Sequence, residues 1–295
     1  MNPKQFDYDL AFKRNLGWLK PEEQQKLRDS SIAIAGVGGA GGFQAEALAR
    51  LGIGRFKLAD PDTFELVNFN RQAGATMATL GQSKTTVIQE LILNINPQAK
   101  VEIFPEGLTS GNSDRFFENV DLVIDGIEFF AIDAKMLLFE KSRSKNIPAI
   151  TSCPLGFGAS LMVFLPGGMD CPTYFHLRKE MSEMDRRIAL AFGLSPTPFC
   201  LKYINRDRGP MDLDRGEAAS VCPGLMLVGA LTATEAVKIL TGKGKVYACP
   251  FVYQIDLLTQ KAKRKYYFFG MRGPWMRIKK WFLKKFLLRK NPNPA

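Results

Sequence analysis

The stretch that most limits how this chain can fold runs from Ser31 to Lys84. It begins Ser31-Ile-Ala-Ile-Ala35, an apolar run too short for a helix, and passes directly into Gly36-Val-Gly-Gly-Ala-Gly-Gly42. From Phe43 to Gly52 apolar residues recur at helical period. Strand, tight turn and helix N-terminus is the simplest reading. Gly36, Gly38 and Gly41 fit G-x-G-x-x-G in that context, with Gly39 between them. Such glycines let a backbone pass close to a phosphate, which the free N–H groups of the helix start then stabilise. A second strand, Arg55 to Ala59, ends at Asp60, where a carboxylate can take a ribose hydroxyl.

That much suits a dinucleotide and a nucleoside triphosphate equally. Arg71 and Lys84, just downstream of the ribose acid, separate the two. A nicotinamide cofactor gives no reason for cations there. A triphosphate does, because charge building on phosphates during transfer must be neutralised in a dry site. Lys84 falls in the first turn of the helical stretch Gly81 to Ile95, where a cation opposes the helix dipole. Helix stability is therefore a poor explanation for it.

Asp60, Asn68, Arg71, Gln72 and Lys84, at these spacings after the glycines, resemble the E1-like adenylating family of ThiF, MoeB, HesA and the ubiquitin-activating enzymes. The resemblance continues through Asn94-Ile-Asn96-Pro97, Asp121-Leu-Val-Ile-Asp125 and Gly229 to Gly242, and covers residues 8 to 256. It implies an α/β fold: a Rossmann-like, mostly parallel sheet with helices on both faces, extended by antiparallel strands. It implies ATP and Mg²⁺, a homodimer, and adenylation of a carboxylate at the C-terminus of a small β-grasp carrier protein. Gly36, Gly38, Gly39, Gly41, Asp60, Asn68, Arg71, Gln72, Lys84 and Asp125 are the nucleotide-binding residues so implied. Arg71 and Lys84 become catalytic cations. Arg14, in the N-terminal arm, becomes the arginine that reaches a nucleotide held by the other subunit, with a solvated arm residue as the competing reading.

The sequence also departs from the family. Where the usual run is Asp, two residues, Asp-Asn, this chain has Asp125-Gly-Ile-Glu128-Phe129. Glu128 stands at the Mg²⁺-associated position but is one methylene longer, and Mg²⁺ demands near-ideal octahedral ligands. Phe129 replaces an amide. Both changes leave room for a nucleotide-binding scaffold with weakened catalysis. Of the two C-x-x-C pairs that hold zinc in many members, only Cys171 and Cys249 remain, with Tyr174 where a thiol would be. Four ligands are needed, so no zinc site is expected. The family places a mobile loop over the site within residues 170 to 221. Here that region reads as a charged helix from Thr173 to Phe192, a Ser-Pro-Thr-Pro turn and a polar run from Asn205 to Glu217. Cys200, near Lys202 and Arg206, and Cys222, ahead of an apolar helix, are candidate acyl-accepting thiols; burial competes for both. His176, the only histidine, lies at helical spacing beside Lys179 and is expected on the surface.

The Asn68-Phe-Asn-Arg71-Gln72 form, the missing zinc ligands and the basic tail also resemble the tRNA threonylcarbamoyladenosine dehydratases, which activate a carboxylate on a modified tRNA. An NAD-dependent oxidoreductase is the last alternative, opposed by Arg71 with Lys84.

Composition matters most where charge is located. The net charge is +11, yet after Asp256 there is no acid and there are twelve Lys or Arg; subtracting these leaves −1 for residues 1–256. The expected organisation is an adenylation domain over 1–256, with residues 1–30 as arm and helix, and a closing strand with a basic amphipathic tail over 257–295. In the tail Trp275, Ile278, Phe282 and Phe286 form one helical stripe, with Arg277, Lys280 and Lys284 opposite and Lys279 and Lys285 flanking. An anionic membrane, the protein body and RNA phosphate are three candidate partners for residues 275–290. Met1 to Leu19 mixes charges with apolar residues, which is unlike a signal peptide. No run of eighteen apolar residues occurs, and five cysteines make no disulfide framework. A cytoplasmic protein, with a peripheral contact at the inner membrane surface as an option, is expected.

Overall fold

Short apolar runs that lead into glycine or a carboxylate form the central strands of one eight-stranded sheet. The strands are β1 (Ser31–Ala35), β2 (Arg55–Ala59), β3 (Lys100–Phe104), β4 (Leu122–Asp125), β5 (Ala149–Leu155) and β6 (Gly158–Phe164). A two-residue ladder follows, β7 (Met211–Asp212) with β8 (Glu217–Ala218), then β9 (Phe251–Asp256) and β10 (Lys261–Tyr266). The computed structural model describes residues 6–178, 180–197, 199–205, 211–212 and 217–287. Sheet order is β10-β9-β6-β5-β4-β1-β2-β3. β1 to β5 pair in parallel, and β6, β9 and β10 continue the sheet antiparallel. From β1 the chain moves to β2 and β3 on one side, then returns to β4 and β5 on the other. The reversal lies between the carboxyl ends of β1 and β4, where open α/β sheets bind ligands.

The helices are α1 (Tyr8–Ala11), α2 (Pro21–Asp29), α3 (Gly39–Arg50), α4 (Lys84–Ile95), α5 (Ser113–Phe116) and α6 (Ile132–Ser144). The second half adds α7 (Cys171–Phe175), α8 (Glu183–Leu194), α9 (Cys222–Thr241) and α10 (Pro274–Leu287). β1 is buried along its whole length, as a central parallel strand covered on both faces must be. Two apolar clusters lie on the two faces. One joins Ala33, Ala35 and Val123 with Phe116, Phe139, Tyr174 and Phe192; the other joins Ile32, Ile34 and Ile124 with Leu48, Ile88 and Ala233. The alternation of Ile32, Ala33, Ile34 and Ala35 between clusters is the period of two expected of a strand.

α9 is long and apolar enough to cross a bilayer by length and composition. Here it is a core helix packed on α3, β5 and β6. Gly229 lets it touch α3, since a Cβ there would come 2.8 Å from Phe43 O. Gln44 of α3 donates to Ser152 Oγ of β5 at 3.0 Å and to Thr232 Oγ1 of α9 at 3.1 Å, tying the three elements together.

The single helix expected from Thr173 to Phe192 is instead two. α7 stops at His176, which takes a left-handed conformation (φ 57°) and is half-buried, and α8 starts anew with Ser182 Oγ accepting from Asp185 N. Aspartate and serine caps divide a segment that periodicity alone joins. Lys179, Arg206 and most of the polar run expected as an active-site loop lie outside the described residues, as does the chain beyond 287.

Candidate nucleotide site

The glycine loop leaves β1 at the switch point, and its geometry admits little but glycine at two positions. Gly36 has φ +82°, and a Cβ there would stand 2.3 Å from Gly126 O at the end of β4. A Cβ on Gly41 would stand 1.8 Å from Gly36 O, which explains the close return of α3 onto the turn. Gly36 N donates to Ala59 O and Gly126 N to Ala35 O, so the ends of β1, β2 and β4 are laced into one floor. α3 begins at Gly39 with Gly38 as its N-cap and no side-chain cap, which leaves its first N–H groups to face a ligand. The helix expected from Phe43 starts one turn earlier, since helical glycines escape a hydrophobic count.

Asp60 closes the other side. Its Oδ2 accepts from Val37 N at 2.7 Å and its Oδ1 from Asp62 N at 3.0 Å, so it shapes the glycine loop. Each oxygen keeps a second lone pair for a ribose hydroxyl. Burial pushes the Asp60 carboxyl above the usual range, against the backbone bonds and the Lys84 charge that pull it down.

The segment from Pro61 to Ser83 folds back on itself through Phe64 N to Gln82 O and Gly81 N to Phe64 O. This return delivers Lys84 to the first position of α4, buried, with Nζ 2.8 Å from Asp62 Oδ2. Asp62 is thus the partner of Lys84. Asn68 is buried and its Oδ1 accepts from Glu65 N, holding a turn that presents Arg71 and Gln72. Arg71 Nη1 donates to Val67 O at 2.7 Å and Asn70 Oδ1 at 2.9 Å, and among the described residues no carboxylate pairs with it. Gln72 Oε1 is buried without a hydrogen-bond partner, and it would lie 3.2 Å from a Cβ on Gly38. A buried acceptor with no donor, beside a bare helix start, fits a ligand that brings hydrogen-bond donors of its own.

α9 also reaches this place. Leu225 Cδ1 would lie 3.3 Å from a Cβ on Gly39, and Asn70 Nδ2 donates to Ser220 O at 3.0 Å. The N-termini of α3 and α9 therefore converge beside the glycine loop. Cys222, the first residue of α9 and half-buried, arrives with them. Cys200 instead lines a small cleft with Leu155, Gln254 and Asp256, where burial and the Asp256 charge push its thiol up. Of the two candidate thiols, Cys222 is thus the one that lies beside the glycine loop. Cys171 and Cys249 are buried core residues beside Tyr174, their thiols raised by burial. Among the described residues no three His, Cys, Asp or Glu are grouped to hold a metal.

Asp125 departs from its expected role of facing phosphates. Its carboxylate is enclosed: Lys135 Nζ lies 2.8 and 3.0 Å from its two oxygens, Thr151 Oγ1 donates at 2.8 Å and Ile127 N at 3.2 Å. A carboxylate engaged by a buried lysine and two further donors is a poor Mg²⁺ ligand. Glu128 next to it is exposed, and among the described residues its carboxylate has no partner. It suits an ion that takes most of its ligands from phosphate and water. Phe129 packs partly into the core and meets Phe130 edge-on at 4.9 Å. Lys135 was missed at sequence level, although a signal existed. It lies between Ile132 and Leu138 on the buried face of α6, where a lysine must find an acid.

Arg14 is exposed and far from its own chain's site. Asn15 donates to Leu51 O, and Tyr8 OH to Gly52 O, so the arm sits at the C-terminal end of α3. The glycine loop is at the other end, about 18 Å away at 1.5 Å per helical residue.

A glycine loop at the switch point of a doubly wound sheet, with a return segment that carries Arg71 and delivers Lys84, defines the nucleotide-binding α/β class. Within it the chain belongs to the ThiF family, whose model matches residues 12–267. The tRNA threonylcarbamoyladenosine dehydratase of Bacillus subtilis is 37% identical over 142 residues, 48% of this chain and 55% of that protein. The sulfur carrier protein adenylyltransferase of Thermus thermophilus is 30% identical over 233 residues, 77% of this chain and 75% of that protein. The match thus spans about half the length of the Bacillus dehydratase and three quarters of the Thermus enzyme. Among solved structures, Escherichia coli MccB with ATP superposes with a TM-score of 0.64 at 20% identity, over 85% of this chain and 67% of that one. That likeness is one of fold.

Proposed function

We propose that this protein is an ATP-dependent adenylating enzyme acting on a carboxylate. The observation that carries the reading is Arg71, a cation held by neutral acceptors beside a glycine cradle and two converging helix N-termini. The acceptor carboxylate attacks the α-phosphorus of ATP, the bond from that phosphorus to the bridging oxygen breaks, and pyrophosphate leaves with that oxygen. An acyl-adenylate remains. Glycine-loop and α3 amides would hold the phosphates, and Asp60 the ribose. Arg71 would neutralise charge growing on the leaving group, a type of contribution worth roughly 3–4 kcal/mol per donor. Lys84 would add to it by sharing its ammonium between Asp62 and phosphate. Glu128 would hold Mg²⁺, which supplies charge neutralisation on the phosphates when bound. In a dimer, Arg14 would complete the other subunit's site.

For the acceptor, the favoured reading is the C-terminal carboxylate of a small carrier protein, supported by the Thermus adenylyltransferase, whose match covers most of both chains. The higher identity of the Bacillus dehydratase favours a modified tRNA as second reading. The test is exchange of labelled pyrophosphate into ATP with each acceptor added separately. Exchange that requires a carrier protein supports the first reading, and exchange that requires tRNA replaces it with the second. A chain that binds ATP yet exchanges with neither is a scaffold; one that binds NAD and not ATP ends the adenylation reading.

A further inference from the structure

The net positive charge of this chain lies at one end: twelve Lys or Arg and no acid after Asp256, against −1 for the rest. The structure shows what that charge surrounds. β10 forms an edge of the sheet with all six residues exposed, Lys261, Lys263 and Lys265 among them. Aromatic residues continue from its end. Tyr266, Phe268 and Phe269 are 48, 66 and 51% exposed, and their rings follow one another at 6.3 and 4.8 Å. A Cβ on Gly273 would lie within 4 Å of both Phe269 and Met276, so this run abuts the start of α10.

α10 rests on α8 and places Met276 in the core. At about 100° per residue, Trp275, Ile278 and Phe282 fall on the side away from Met276. They are 76, 49 and 62% exposed. Over Trp275, Ile278 and Phe282 the apolar stripe therefore points outward, contrary to a helix docked by those residues on the body, and the side chain of Phe286 lies outside the described residues. Arg272, Arg277 and Lys279 are exposed around it.

Exposed apolar residues gathered in one place mark an interaction surface. Its occupant must accept aromatic and aliphatic side chains and carry negative charge. A bilayer interface does both: tryptophan and phenylalanine settle at the headgroup level, and lysines beside them meet anionic lipid. RNA phosphate answers the cations but gives Ile278 no partner. We propose that α10, with Phe268 and Phe269, docks in the plane of an anionic membrane surface, its Trp275–Ile278–Phe282 stripe in the headgroup boundary.

The test is flotation of the full chain with vesicles of phosphatidylglycerol and phosphatidylcholine, and with phosphatidylcholine alone. Binding is expected only to the anionic vesicles and is weakened by salt. In a Trp18→Phe background, brominated lipid should quench the remaining tryptophans. Trp275→Ala with Phe282→Ala should weaken partition at least about tenfold at unchanged Tm, since burial of such rings in the interface is lost. Absence of flotation with anionic vesicles overturns the proposal. So does flotation of the double variant equal to wild type, or RNA binding that the double variant loses while vesicles are ignored.

Discussion

Lys135 Nζ and Asp125 Oδ1 are 2.8 Å apart and both side chains are buried, so the acid that ends β4 is neutralised from α6 directly beneath the glycine loop. The third lysine bond goes to Ile127 O at 2.7 Å, which fixes the backbone leading to Glu128. The pair braces the loop after β4 and sets where Glu128 emerges. Lys135→Met should leave a buried carboxylate without its cation and destabilise the protein by about 3–5 kcal/mol in urea unfolding. Asp125→Asn combined with Lys135→Met should recover much of that loss. Additive losses in the double variant would show that the two do not act as a pair.

Gly36 and Gly81 share a positive φ, +82° and +80°, but differ in their surroundings. Gly81→Ala meets nothing within 4 Å and should cost only the left-handed conformation, about 1–2 kcal/mol. Gly36→Ala must push apart the loops after β1 and β4, so ATP binding by calorimetry should vanish and Tm should fall further than in Gly81→Ala. Equal effects of the two would mean that the contact with Gly126 is unimportant.

Arg14 cannot reach its own chain's glycine loop across the length of α3. If the arm completes the other subunit of a dimer, Arg14→Ala and Arg71→Ala should each be inactive alone. Mixed after unfolding and refolding together, they should regain about a quarter of wild-type activity, because half the dimers carry one intact site. No recovery on mixing would return Arg14 to an ordinary arm residue.

Asp256 gives a pH dependence whose sign can be worked out. Burial alone would raise its pKa, but bonds from Tyr203 and Thr259 outweigh this and hold it below the usual value. A depressed folded pKa contributes stability that is present above the unfolded value of about 3.9 and lost as pH falls through the folded one. Stability should therefore fall below about pH 4, and Tyr203→Phe should flatten that part of the curve. A Tyr203→Phe profile parallel to wild type below pH 4 would assign the acid loss elsewhere.

The thiols should separate by reactivity. Burial pushes Cys153 up to about 12 and raises Cys171, Cys249 and Cys200. Alkylation near neutral pH should mark Cys222 first, and ATP should slow it because α9 starts beside Gly39. Peptide mapping that finds Cys200 modified first would restore it as the accessible thiol.

Local chemistry was enough to place the nucleotide-binding half. An apolar run too short for a helix and ending in glycines reads most simply as a strand entering a tight turn, and β2 falls on Arg55–Ala59 as read, because strand period and terminal Asp60 are properties of neighbouring residues. ThiF membership was likewise legible in the spacing of Asp60, Asn68, Arg71, Gln72 and Lys84. What sequence could not supply were facts about residues distant in the chain. Lys135 is an unremarkable helix lysine until α6 is laid against β4, and only then does Asp125 cease to be free. Cys222 gained on Cys200 through the approach of α9 to α3, about 180 residues apart in sequence, where Leu225 meets Gly39. The tail showed its amphipathic stripe in sequence, but periodicity says which residues share a face and never which way the face points. That was decided by Met276, which among the described side chains of α10 is the one that found room in the core.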